Sequence, residues 1–130
     1  MIYLDSSALV KLLVSETESA ALRSWLRSRP ERRVSSELAR VEVARAVRLA
    51  GAGARVTKGT DVLFGGLSML PISREVIDRA ARLEPAALRT LDAIHLAAAL
   101  LLGPSTIFVA YDARLADAAS SAGLEVVAPA

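Results

Sequence analysis

The chain has no cysteine, which excludes a disulfide framework, a thiolate zinc site and a cysteine nucleophile. It has one histidine, His95, so a zinc enzyme built on imidazole ligands is equally hard to assemble. Aromatic residues make up only 4% of the chain, too few for a stacking platform to be the main way of holding nucleic-acid bases. No apolar run reaches the roughly 20 residues that a spanning helix needs. The longest nearly apolar stretch, Leu91 to Leu102, is broken by Asp92 and His95 and reads as a buried helix. No positively charged leader precedes an apolar segment, so a cytoplasmic protein with no membrane association is expected. Charge is nearly balanced as well, at a net +2, and the field of the whole molecule is a weak argument for any partner.

At 130 residues, 53% of them apolar, the chain can bury one real core, and a single domain over residues 1–130 is expected. Eight of the sixteen basic residues fall between Arg23 and Arg48, and fourteen of the sixteen are arginine. A planar guanidinium grips phosphate through two hydrogen bonds where lysine offers a point charge. Helical arginines on a solvated face would give the same composition.

Apolar runs suited to strands alternate with helical patterns. MIYL opens as a strand and Ser6 to Val14 follows as a helix; after Thr17, Leu22, Trp25 and Leu26 share one helical face. Val34 to Ser36 reads as a second strand before a helix running to about Ala50, which GAGAR ends with two glycines. A helix over Thr57 to Leu67, a strand in LSMLPI and a helix in SREVIDRAARL come next. Ala87 to Leu102, the strand TIFVAY, a helix from Asp112 to Ser121 and the strand LEVVA complete the chain. This alternation predicts an α/β fold: a mostly parallel central sheet flanked by helices.

Four acids stand out against that frame. Asp5 and Asp112 each follow a strand-like run, and a carboxylate at the carboxyl end of a strand in an open α/β sheet points into the crevice where such folds bind ligands. On a helical projection from Leu38, Leu49, Ala46, Ala39, Ala50, Val43 and Val47 fill an arc from about 20° to 180°. Glu42 falls within it at about 40°, whereas Glu37 projects at about 260°, beside Arg48 at about 280°. A carboxylate on an apolar face is costly unless it is protonated or bound to something positive. Asp92 lies in the first turn of its helix, where the macrodipole favours an anion whatever its function. Asp112 is equally suited to capping the helix after it. Ser6 and Ser7 can cap the first helix or orient Asp5, His95 reads as a hydrogen-bonded core residue, and Asp117 as solvated or an outer contributor. Four carboxylates in one place repel and raise one another's pKa values, so a shared site requires a cation. Oxygen-only ligands favour Mg²⁺ or Mn²⁺.

MIYLDSSALVKL, ARVEVARA around Glu42, LRTLDAIHLAAAL and FVAYDARLADAAS with GLEVV resemble the successive motifs of PIN-domain nucleases, particularly VapC toxins of bacterial toxin–antitoxin pairs. The resemblance runs from Met1 to about Val127, with little that is diagnostic between about Ala50 and Glu84. It implies a Rossmann-like domain, Mg²⁺ or Mn²⁺ held by acidic residues, and metal-dependent cleavage of RNA. Carried over by position, Asp5, Glu42, Asp92 and Asp112 match the acidic quartet as catalytic and metal-binding residues, with Ser7 beside the first acid and Asp117 further out. It also implies a homodimer neutralised by a small VapB-type antitoxin. Arg45 and Arg114 are the candidates for holding the RNA backbone.

Rival readings find less in the residues. A response-regulator receiver needs an acidic pair after the first strand and a lysine near a late strand, but the only lysines are Lys11 and Lys58. A haloacid-dehalogenase-type phosphatase needs a second aspartate where Ser7 stands. The remaining alternative is a non-catalytic member of the same fold, acting as an RNA- or protein-binding module.

Overall fold

A computed structural model describes all 130 residues. Ile2–Leu4 (β1) is fully buried, as expected of a strand covered on both faces of a parallel sheet. It is followed by Ser6–Leu13 (α1), Ser19–Arg27 (α2), Arg33–Ser36 (β2), Leu38–Leu49 (α3), Ala54–Gly65 (α4) and Ser68–Leu70 (β3). Arg74–Arg82 (α5), Thr90–Leu101 (α6), Ile107–Val109 (β4), Ala113–Ser121 (α7) and Glu125–Val127 (β5) complete the chain. The five strands are all parallel, in the order β3-β2-β1-β4-β5.

That order fixes where a ligand can sit. From β1 the chain first builds outward through β2 to β3, then crosses back to place β4 on the other side of β1. Connections therefore leave the carboxyl ends of β1 and β4 in opposite directions, and a crevice opens between them.

Side-chain alternation along β1 divides the core in two. Ile2 and Leu4 point to one face and pack with Leu9, Leu22, Leu26, Val43 and Val47 of α1, α2 and α3. Tyr3 points to the other and packs with Leu96, Phe108 and Leu115 beneath α5, α6 and α7. The Tyr3 and Phe108 rings stack with centroids 5.4 Å apart and planes 9° from parallel, an arrangement that adds about 0.5–1.5 kcal/mol beyond area burial.

Several expectations shift in detail. The helix placed over Thr57 to Leu67 begins earlier, at Ala54, directly after Gly53. The one placed from Ala87 begins at Thr90, because residues 85–88 close a turn through the Leu88 N–H to the Pro85 carbonyl and Arg89 is extended. Gly51, at φ +71°, ends α3 in the left-handed conformation that glycine adopts without steric cost. Along α3 only Ala39, Val43 and Val47 are fully buried, and Leu49 stands 91% exposed. The packed row is thus narrower than the apolar arc, and Glu42 lies on its flank. Glu37 pairs with Arg40 at 2.6 Å rather than with Arg48, one turn along the same helix. Trp25 is half-buried against the core, with Arg29 over its ring. No helix is long and apolar enough to cross a membrane.

Candidate active site

Asp5 leaves the carboxyl end of β1 with its N–H on the Val109 carbonyl of β4, so its backbone is pinned where the two strands part. Its side chain caps α1: Oδ1 accepts from the Ala8 N–H at 2.9 Å and from the Ser7 hydroxyl at 2.7 Å. Ser7 Oγ in turn accepts from the Tyr111 N–H at 3.4 Å, which ties the first acid to the loop after β4. Asp5 is 4% exposed. Burial pushes its carboxyl above the ordinary aspartate value, the charge of Asp92 adds to the rise, and the Ser7 and Ala8 hydrogen bonds oppose it without cancelling it. Oδ2 accepts no hydrogen bond, yet it is not sealed from solvent.

Glu42 reaches the crevice from α3 and meets α1 and α6. Its Oε1 accepts from the Ser6 hydroxyl and faces His95 Nε2, each at 2.5 Å. An ionised carboxylate only accepts, so the hydrogen between them rides on Nε2, and Nδ1 is left to meet the Tyr3 hydroxyl at 2.7 Å. Burial pushes the Glu42 carboxyl up, but the His95 and Ser6 hydrogen bonds outweigh it and hold the group below the ordinary glutamate value. Tyr3 is shifted upward, first by burial and then by the charge of Asp5, so its phenol keeps its proton. Glu42 is therefore an anion with one oxygen engaged and Oε2 free.

Asp92 and Asp112 face each other across an arginine. Asp92 projects from the first turn of α6 and Asp112 caps α7, its Oδ1 accepting from the Leu115 N–H at 3.0 Å. Arg89, the residue before α6, donates from Nε to Asp92 Oδ2 at 2.9 Å and from Nη2 to Asp112 Oδ2 at 3.4 Å. The Asp92 side chain is 15% exposed, against 38% for Asp112 and 68% for Arg89. The two carboxylates raise the guanidinium's pKa, Asp92 more than Asp112, and the charge of Glu42 adds to the effect.

The donor chemistry fits a hard divalent cation. Asp5 Oδ2, Glu42 Oε2 and Asp92 Oδ1 accept no hydrogen bonds, and every candidate donor is a carboxylate oxygen. Asp5 makes no ion pair with Arg or Lys, and burial together with the charge of Asp92 pushes its carboxyl up. As the side chains stand, no three acids form a ready-made ion-binding group, and Arg89 supplies the positive charge between Asp92 and Asp112.

The model of the PIN domain family matches residues 2–120. The chain belongs to the PIN-domain family. Over 129 residues it is 50% identical to Ribonuclease VapC46 of Mycobacterium tuberculosis, spanning 98% of this chain and 97% of that protein. The fold of this PIN domain is shared with VapC20 of Mycobacterium tuberculosis, a sarcin-ricin loop cleaving toxin, at TM-score 0.79 and 17% identity, covering 99% of this chain and 100% of that one. It is also shared with a chain of a toxin–antitoxin complex from Klebsiella pneumoniae, at TM-score 0.76 and 21% identity, covering 100% and 98%.

In this PIN domain charge interactions link Asp5 to Asp92, and Arg89 to Asp92, Asp112 and Glu42, with Ser7 directly on Asp5. Asp117 does not join them. It is exposed on α7 and lines a cleft with Arg114, Pro85, Leu88 and Ser121. The two arginines singled out in the sequence also lie elsewhere: Arg114 in that same cleft, and Arg45 on the outer side of α3 with Arg48 and Leu49. Arg89 is the arginine that sequence reasoning missed. Its signal was its place three residues before Asp92, the i, i+3 spacing that pairs charges at the start of a helix. His95, read as a core histidine, is buried as expected but also holds Glu42.

Proposed function

We propose that this chain is a divalent-metal-dependent endoribonuclease, the toxin of a VapBC-type pair, working through the crevice between β1 and β4. This reading is supported by the charge interactions of Asp5 with Asp92 and of Arg89 with Asp92, Asp112 and Glu42, in a chain half identical to a ribonuclease of the same family. Mg²⁺ or Mn²⁺ would be held by the free oxygens of Asp5, Glu42 and Asp92, with Asp112 completing the set. Bound there, such an ion supplies Lewis acidity toward a phosphodiester and acidifies a water.

The protein's own residues do the positioning. Ser7 and the Ala8 N–H fix one Asp5 oxygen so that the other keeps a single direction. Ser6 and His95 do the same for Glu42, and Tyr3 locks the His95 ring from behind. Burial of Asp5 keeps water from screening its charge, so its hold on a cation is stronger than a surface carboxylate's. With few aromatics, the RNA is selected by shape and backbone contacts. A VapB-type antitoxin as inhibitor belongs to the same proposal, in keeping with the likeness to a chain of a toxin–antitoxin complex, and so does a homodimer as the working form.

The test is cleavage of cellular RNA by purified protein with Mg²⁺ or Mn²⁺, against EDTA and against Asp5→Asn and Asp92→Asn. Cleavage that needs metal and disappears in both folded variants is the expected result. A folded wild type that binds RNA without cutting it under any metal would replace the nuclease reading with that of a binding module.

A further inference from the structure

Fourteen arginines decorate this chain, and Arg89 is the one whose guanidinium touches the acids of the crevice. Others near the fold are pinned by backbone: Arg23 donates to the Leu12 carbonyl at 3.3 Å and Arg33 to the Leu26 carbonyl at 2.9 Å. Arg89 has no such anchor. It leaves an extended backbone just ahead of α6, at φ −60° and ψ 143°, is 68% exposed, and is held only by Asp92 and Asp112.

Two features of that hold matter. Ion pairs this exposed are weak, because solvent screens them and ordering a long side chain offsets much of the attraction. The carboxylates involved are also two of the four that the proposed function assigns to a divalent ion. A doubly charged ion attracts the same two carboxylates more strongly than a single, spread guanidinium charge does. Guanidinium and cation therefore compete, and by linkage each weakens the binding of the other. An arginine released from Asp92 and Asp112 remains tethered at the mouth of the crevice with five N–H donors, in the fork geometry that fits phosphate.

We propose that Arg89 is a substrate-positioning residue kept on the site's own carboxylates until a divalent cation replaces it, whereupon its guanidinium takes a phosphate of the RNA backbone. The inference rests on the nuclease reading of the crevice. The metal-free protein then carries its own counter-ion, and a single event, cation entry, both completes the site and frees a phosphate ligand beside it.

The experiment has two measurements on the full chain, made on wild type, Arg89→Gln, Arg89→Lys and Arg114→Gln, with thermal melts confirming that each is folded. Calorimetric titration with Mn²⁺, without nucleic acid, reads the competition. Arg89→Gln is expected to bind Mn²⁺ about three- to tenfold more tightly than wild type, as befits the loss of two exposed ion pairs. Arg89→Lys and Arg114→Gln should stay near wild type, the latter because its charge lies in another cleft. Fluorescence anisotropy with a labelled mixed-sequence single-stranded DNA, a phosphate chain that a ribonuclease leaves intact, reads the second role. With Mn²⁺ present, Arg89→Gln should bind it about tenfold more weakly than wild type, as for the loss of a charge-assisted contact; without Mn²⁺ the two should bind alike. Unchanged or weaker Mn²⁺ binding by Arg89→Gln overturns the inference, as does an equal loss of DNA binding with and without Mn²⁺. Absence of Mn²⁺ binding by the wild type itself overturns the metal reading of the crevice and this inference with it.

Discussion

Tyr3 and His95, 92 residues apart, share a buried hydrogen bond of 2.7 Å from the phenol oxygen to Nδ1, with their rings edge to face at 5.9 Å. The bond joins the central strand to α6 and, through His95 Nε2, reaches Glu42 on α3. Three elements on both faces of the sheet are thus coupled through one imidazole.

Tyr3→Phe deletes the hydroxyl and leaves Nδ1 buried without its partner. The expected cost is about 1–3 kcal/mol, the desolvation penalty of an unsatisfied buried group, measured as a shift in the urea midpoint with an unchanged slope. A cost near zero would mean that His95 finds another partner.

Asp5→Asn keeps an oxygen to accept from the Ala8 N–H but removes a buried charge. Its folded-state pKa is raised, so the acid contributes stability at low pH that is lost as pH rises past the ordinary aspartate value of 3.8 toward the folded value. In metal-free protein, Asp5→Asn should therefore match wild type in acid and become the more stable of the two toward neutral pH. Thermal melts of both proteins between pH 3.5 and pH 7.5, a range of about 4 pH units chosen to bracket the carboxylate titrations, would show it. A gap that closes toward neutrality would contradict the burial argument.

Glu42 carries the opposite sign. Its pKa is lowered in the folded protein, so its stabilising contribution is present above the ordinary glutamate value of 4.5 and is lost as pH falls toward the folded value. Glu42→Gln should flatten this acid limb of the stability curve in the same melts. A limb as steep as that of wild type would place the responsible proton elsewhere.

Mn²⁺ should raise the thermal midpoint of wild type and leave Asp5→Asn nearly unmoved. At a hundredfold excess over the dissociation constant the stabilisation is about 2.7 kcal/mol. Equal stabilisation of both proteins would move the ion away from the crevice.

Lys11 lies under Tyr111 with Nζ 4.7 Å from the ring centroid, while donating to Glu16 at 3.2 Å and Glu18 at 2.9 Å. Tyr111 in turn donates its hydroxyl to the Pro129 carbonyl and its N–H to Ser7. Lys11→Ala should cost about 1–3 kcal/mol through lost charge-assisted bonds and ring contact, whereas Lys11→Met, which keeps the stem, should lose less. Chemical denaturation of the two variants side by side would distinguish packing from charge.

Legibility followed the range of the interaction. Asp5 and Asp112 stood out because each closes a strand-like run, a local pattern; Asp112 caps α7 as read, whereas α1 is capped by Asp5 itself and not by Ser6 or Ser7. Glu42 was visible through helical periodicity alone. Its partner was not, because His95 approaches from another helix, 53 residues on in the chain. Arg89 was hidden for a related reason: the Asp112 half of its bridge spans 23 residues, and an exposed side chain leaves no periodic trace. Leu49 misled in the other direction, since an apolar arc on a projection does not say how much of it a neighbouring element covers. The parallel sheet followed from alternation, but its order, with β1 between β2 and β4, is a tertiary choice that no local segment encodes.

The division of the core across β1 also sets a sequence of events during synthesis. Asp5 and Glu42 belong to the part of the chain that covers one face, and Asp92 and Asp112 to the part that covers the other. A nascent chain still short of β4 already carries Asp5, Glu42 and Asp92 but lacks Asp112 and the strand that lines the far wall of the crevice. The wall that β4 supplies is thus made last, and the crevice exists only once the final strands have docked against β1.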